Sequence, residues 1–337
     1  MRRLHPDDVG LHRTARGAMD VAATLVALLS ALALAACATL PSAIVRTGPD
    51  DPGARIPGID RCDRDSPGVV DLDPDRPLVL LVHGCRSSGG RFRALARVFE
   101  AHGQQTVCFN YDDRDSLRDA SRDLATAILA LEARLKPRQI TILGHSQGGL
   151  VARRALIREG RHPLPAGDGF TYRLLTVSSP LNGISASSIC GRPWLHFLTL
   201  GFTHVICHGI SGKKWTEIFP NAPFMERPGT LIPAVTEHLQ VVTDERGICR
   251  RANPDGTCAK SDYVFGIDEQ RNAVISADPR VEVVPMAAGH VEIVGTEGVV
   301  PLKLLGLLQA RGILAATPPE RKDEMVGLLA RLFGPIP

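Results

Sequence analysis

Residues 139–150 read Gln139-Ile140-Thr141-Ile142-Leu143-Gly144-His145-Ser146-Gln147-Gly148-Gly149-Leu150, and they decide the fold. A short β-type run enters a Gly-x-Ser-x-Gly turn, and a helical pattern leaves it. That context makes a common pentapeptide into a nucleophile elbow, a sharp and strained turn that lifts one serine clear of a sheet. Gly144 and Gly148 suit it because the backbone passes tightly from strand to helix there. Gln147 follows the serine, so its backbone N–H points from the helix N-terminus to where an oxyanion would form, with the helix dipole assisting. Ser146 is the expected nucleophile.

On either side of this turn the chain alternates. Pro77–Val82, Val107–Asn110, Ile140–Leu143, Leu174–Val177, Leu239–Thr243 and Val281–Val284 are apolar runs of the kind buried on both faces of a sheet. Helical stretches lie between them. The clearest places Leu117, Ala120, Leu124, Ile128, Leu131 and Leu135 on one stripe, with Ser116 and Asp119 shaped like a capping box. This pattern predicts an α/β fold with a mostly parallel, doubly wound sheet and helices on both faces. Residues 181–236 break the alternation and are too long for a plain loop. They carry Trp194, Phe197, Phe202, Ile206, Trp215 and Phe219, so they read as an inserted lid or cap, with a packed helical subdomain as the plainer alternative.

A serine at neutral pH is a poor nucleophile and needs a base, and the base needs an orienting group. His290, in the loop after Val281–Val284, is the expected base. His83 and His145 belong to other motifs, and His196, His204 and His208 lie in the insert. For the acid, Asp262 in Ser261-Asp262-Tyr263 is favoured, Asp244 directly after Leu239–Thr243 is a rival, and Asp268 is a third candidate. The order Ser146…Asp262…His290 is the one such a scaffold uses. The second oxyanion donor is expected in Val82-His83-Gly84-Cys85, where Gly84 permits a tight turn and the Cys85 N–H faces the site. His83 is expected to brace this loop rather than move protons.

Formal net charge is +3 over 337 residues, with acids and bases interspersed and aromatics at 4%, so nothing marks a nucleic-acid surface. Arg2, Arg3, Arg13 and Arg16 precede an apolar run, Val21 to Ala36, that is too short and alanine-rich for a comfortable membrane span. Residues 1–36 therefore read as a signal peptide. Residues 37–60, rich in Pro and Gly, read as a tether, and residues 61–337 as the catalytic domain. Export places the cysteines in an oxidising compartment. Cys249 with Cys258, Cys190 with Cys207 and Cys62 with Cys108 are the favoured pairs, leaving Cys85 free beside the site. Cys190, His196, His204, Cys207 and His208 do not match zinc-ligand spacing, and neither a metal nor a cofactor is expected.

At these residues the chain resembles the α/β-hydrolase superfamily of the bacterial lipase and esterase type. The match rests on His83-Gly84, Gly144-His145-Ser146-Gln147-Gly148-Gly149, Ser178-Ser179-Pro180-Leu181-Asn182-Gly183, Ser261-Asp262 and Gly289-His290, and spans roughly residues 75–300. Relatives often read Ser-Asp-Gly-Val-Val at the acid, where this chain has Tyr263 and Phe265. The resemblance implies a serine carboxylic ester hydrolase acting on an apolar or lipid-like ester. An acyltransferase or thioesterase using the same residues, or a noncatalytic envelope lipoprotein, are the alternatives. Leu34-Ala35-Ala36-Cys37 resembles a bacterial lipobox. It implies lipidation at Cys37 and attachment to the cell envelope, at the periplasmic side of the outer membrane.

Overall fold

The strand Leu78–Val82 shows how one segment serves two layers. Leu78, Leu80 and Val82 enter one apolar cluster while Val79 and Leu81 enter another, the alternation of a pleated strand. The computed structural model describes residues 55–62, 70–135, 139–159, 170–191, 193–199 and 202–334. The expected signal peptide, Cys37 and most of the tether lie outside the described residues.

In chain order the strands are β1 (Ile59–Asp60), β2 (Leu78–Val82), β3 (Gln105–Phe109), β4 (Gln139–His145), β5 (Thr171–Val177), β6 (Val235–Asp244), β7 (Cys249–Ala252), β8 (Cys258–Ser261) and β9 (Val281–Ala287). The main sheet runs β1-β3-β2-β4-β5-β6-β9, and β7 and β8 form a separate antiparallel hairpin. Only β1 is antiparallel to its neighbour in the main sheet; β3, β2, β4, β5, β6 and β9 run parallel. All six expected apolar runs fall in this parallel set. The chain steps outward from β2 to β3, then crosses back to place β4 on the other side of β2. That reversal makes a crevice at the C-terminal ends of β2 and β4, where open α/β sheets bind ligands.

The helices used below are α1 (Arg93–Ala101), α2 (Leu117–Glu132), α3 (Gln147–Ala155), α4 (Pro193–Leu198), α5 (Phe202–Ser211), α6 (Leu302–Ala310) and α7 (Lys322–Phe333). Helices α2 and α3 bury Leu117, Leu124, Ile128 and Val151 on one face of the sheet, and α1, α6 and α7 bury Leu95, Phe99, Leu304 and Phe333 on the other. The cap of α2 is half of the expected box. Ser116 Oγ accepts from the Asp119 N–H at 3.3 Å, but Asp115 rather than Asp119 accepts from the Ser116 N–H.

The folded unit starts earlier than residue 61. Ile56 and Ile59 are buried and β1 pairs with β3, so the end of the expected tether is the edge of the sheet. The pairs Cys62–Cys108, Cys190–Cys207 and Cys249–Cys258 are disulfides, and Cys85 is free and exposed.

The described part of the insert is helical and has two characters. Its outer piece, α4 and α5, with Cys190–Cys207 tying the 3-10 turn before α4 to α5, leaves Trp194, Phe197, Leu198, Phe202 and Ile210 exposed. Its inner piece, from Gly212 onward, buries Ile218, Ala222, Phe224 and Met225 in the main core.

Candidate active site

Ser146 sits between the end of β4 and the start of α3 with φ 56° and ψ −128°, a left-handed φ that costs energy for any residue with a Cβ. The turn is held on both sides. The Ser146 N–H donates to Val177 O at 2.9 Å, and Ser146 O accepts from the Gly149 N–H at 3.1 Å. Glycine is required where this turn passes the end of β2. A Cβ on Gly148 would run into Val82 O, and one on Gly84 would lie 2.8 Å from Ser146 Cβ. The strain therefore persists because packing on both sides over-determines it.

His290 is fixed by its main chain before its ring is considered. Its N–H donates to Asp262 O at 2.9 Å, and its carbonyl accepts from His145 Nε2 at 2.8 Å. Burial, together with the charge of His290 and nearby arginines, pushes His145 well below the ordinary histidine range, so it serves as a neutral donor. The His145 and His290 rings lie 4.8 Å apart, which sets His290 beside the residue preceding Ser146, and Phe265 packs edge-on at 4.9 Å. His290 Nδ1 lies 2.9 Å from Glu245 Oε1 and 2.8 Å from Ser178 Oγ. A proton on Nδ1, directed at a carboxylate, leaves the Nε2 lone pair free to accept one. Ser146 Oγ has no hydrogen-bond partner among the described residues; in sites of this kind the serine–histidine bond often closes only with substrate bound.

The carboxylate facing His290 is Glu245, which is not among the three aspartates expected from the sequence. Its Oε1 accepts from Ser178 Oγ at 2.7 Å and Thr243 Oγ1 at 3.0 Å, and its Oε2 accepts from the Val264 and Phe265 N–H groups at 2.5 and 2.9 Å. Burial works to raise this carboxyl. The bonds from His290 and Ser178, the charge of His290 and the Phe265 N–H outweigh it and hold the group below the usual glutamate range.

Asp262 is buried nearby but turned elsewhere. It pairs with Arg250, and its Oδ2 accepts from the Val291 and Glu292 N–H groups, both at 2.9 Å. It anchors the loop that carries His290 and does not touch the ring. Asp244 points outward to Arg246 Nε at 2.7 Å, a contact that lowers it to about 2. Asp268 contributes its main-chain carbonyl to Asn182. The reason is strand parity. Along the end of β6, Val241, Thr243 and Glu245 share one side, so the residue one place after Asp244 faces the site. That alternation is the signal in the sequence that points to Glu245.

The two expected oxyanion residues come together at the crevice. Gln147 opens α3, and Cys85 lies just beyond β2 in the loop that His83 braces. His83 Nδ1 donates to Gly84 O at 2.9 Å, its ring stacks on Tyr111 at 4.5 Å, and Tyr111 Oη donates to His83 O at 2.8 Å. Burial lowers His83 below the ordinary histidine range, in keeping with a bracing role. Lys214, from the insert, reaches both residues. Its Nζ lies 2.5 Å from Gln147 Oε1 and 3.2 Å from Cys85 Sγ. In the outer insert, Cys190 and Cys207 are bonded to each other, and His208 is exposed.

Residues 77–166 match the family model described as the alpha/beta hydrolase fold. The chain has the α/β-hydrolase fold. The matched span takes in Cys85 and the turn at Ser146 and ends before the insert, Glu245 and His290. Among solved structures, Bacillus licheniformis lipase BlEst2 in its mature form is 14% identical, with TM-score 0.46 over 76% of this chain and 98% of that one. A Thermogutta terrifontis esterase, Est2 with propionate bound, is 17% identical, with TM-score 0.45 over 79% and 97%. Aspergillus fumigatus lipase B is 15% identical, with TM-score 0.44 over 77% of this chain and 56% of that one. No match was found among curated proteins.

Proposed function

We propose that this protein of the α/β-hydrolase fold is a serine hydrolase of carboxylic esters, with Ser146 as nucleophile, His290 as base and Glu245 as the acid that orients it. One observation carries the reading: a serine on a strained elbow directly follows His145, whose ring lies 4.8 Å from the His290 imidazole, and that imidazole's Nδ1 is fixed on a buried, fully bonded carboxylate. In this scheme Ser146 Oγ attacks the ester carbonyl as its proton passes to His290 Nε2. The carbonyl oxygen becomes an oxyanion held by the Cys85 and Gln147 N–H groups. Collapse expels the alcohol, which takes the proton from His290, and water then cleaves the acyl-enzyme by the same route. Exposed Trp194, Phe197 and Leu198 on the insert favour esters with apolar acyl chains.

The test is fluorophosphonate labelling together with a chain-length series of chromogenic esters. The wild type should label and turn over, and Ser146→Ala should do neither while keeping its melting temperature. Full turnover by Ser146→Ala would end the proposal. Partition of the acyl group to added alcohols or thiols in preference to water would move the reading to an acyltransferase.

For location, the proposed lipid anchor at Cys37 would hold the enzyme on the periplasmic face of the outer membrane. The mass of the mature N-terminal peptide tests it: a diacylglyceryl-modified Cys37 is expected, and an unmodified N-terminus elsewhere refutes it.

A further inference from the structure

Lys214 is a lysine with 4% of its surface exposed, and it lies in the insert, remote in sequence from the residues its ammonium touches. Besides Gln147 Oε1 and Cys85 Sγ, its Nζ donates to Asp113 O at 2.5 Å and pairs with the Asp113 carboxylate at 3.7 Å. Asp113 in turn accepts from the Arg86 N–H at 2.8 Å and, through its carbonyl, from Gln147 Nε2 at 3.0 Å. One ammonium thus joins the side chains of both residues whose N–H groups form the oxyanion hole, together with the carboxylate that ties down the loop after Cys85.

The segment that delivers Lys214 is firmly seated. Gly212, at φ 73°, approaches Arg114 O so closely that a Cβ there would collide with it. The Lys213 N–H donates to Arg114 O at 2.7 Å, and Lys213 Nζ pairs with Asp115 at 2.9 Å. Further along, the Glu217 carboxylate accepts from the Leu117 N–H at 2.6 Å and from Ser116 Oγ at 3.1 Å.

We propose that Lys214 is a positioning residue that makes the oxyanion hole depend on the seating of the insert. With Lys214 in place, Cys85 and Gln147 are held at a fixed spacing. Without it, Asp113 loses its cation, Gln147 Oε1 loses its donor, and the loop at Cys85 is free to drift from the elbow. The inference rests on the ester-hydrolase reading of the site.

The test is Lys214→Met, assayed for kcat and KM on an acetate ester and on a long-chain ester, with fluorophosphonate labelling rates and melting temperature alongside. Removing a hole donor outright costs about 10²–10³ in kcat, so loosening two donors is expected to lower kcat by about tenfold or more. KM should change little, and the loss should be equal for both esters, because every ester places its oxyanion in the same hole. Lys214→Gln, which keeps a shorter donor, should fall between Lys214→Met and wild type, and it carries the test if Lys214→Met does not fold. A kcat within about twofold of wild type in the folded variant, or a loss confined to long-chain esters, overturns the proposal. A wild type that neither labels nor turns over esters overturns the ester-hydrolase reading instead.

Discussion

Glu245 and His290 draw their partners from the sheet and the loops that leave it: Ser178 after β5, Thr243 in β6, and Val264 and Phe265 beyond β8. Cys85 and Gln147 stand at the ends of β2 and β4, yet the side-chain contacts that link them come from Lys214 in the insert. The base corner is therefore as stable as the core it grows from. The oxyanion corner is as stable as the attachment of a segment added to that core. On the proposed reading, such an enzyme can lose its oxyanion hole while keeping its acid and base aligned.

The largest expected effect that separates the corners is Glu245→Gln. Removing the carboxylate should lower kcat by about 10³–10⁴-fold, through loss of imidazolium stabilisation and of the correct tautomer. Asp244→Asn, one residue away but turned to solvent, should change kcat little; the opposite ranking would restore an aspartate as the acid. The pH dependence has a definite sign. A carboxyl held below its unfolded value stabilises the fold above that value, and the contribution is lost as pH falls through the folded one. The stability difference between wild type and Glu245→Gln should accordingly shrink as pH falls below the ordinary glutamate range, as denaturant titrations would show.

Asp262→Asn should come next, and chiefly in stability. It weakens the Arg250 pair and the bonds to the Val291 and Glu292 N–H groups, at a cost of about 1–3 kcal/mol. Turnover should fall far less than in Glu245→Gln when both are assayed well below melting. Equal losses would mean that loop anchoring and ring orientation cannot be separated here.

The strands and the elbow are legible in the sequence because their chemistry is local. Apolar residues on both faces of β2 and β4, and small residues at Gly144 and Gly148, need no knowledge of distant partners. His290 is legible for the same reason, as a histidine just past the last parallel strand. The proposed acid is not legible from residue type and rough position, which favour aspartates; Glu245 emerges only when the two-residue period of β6 is carried past Asp244. Lys214 is illegible: its partners Cys85, Asp113 and Gln147 come from three other segments, and no spacing in the chain announces their meeting. β1 is hidden in a Pro- and Gly-rich stretch, where Ile56 and Ile59 look like isolated apolar residues.

The smallest expected effect concerns the outer insert. Phe197→Ala should weaken turnover of long-chain esters by about fourfold for each methylene left uncovered, at ~0.8 kcal/mol per methylene, and leave acetate esters unchanged. Equal losses on both would show that Phe197 acts on the hole through the insert's attachment, and would join the two corners that the other variants are meant to separate.

The bond between Cys62 and Cys108 gives the molecule a load path. Tension applied to the chain ahead of Ile56 first meets the short ladder of Ile59 and Asp60 against Phe109 and Cys108. If that ladder unzips, the pull reaches Cys62 and passes covalently into β3, then the edge strand, which stays paired along its length with β2. Traction on the N-terminal side would thus peel a two-residue edge and then stop at a rivet, leaving the crevice at the ends of β2 and β4 undisturbed.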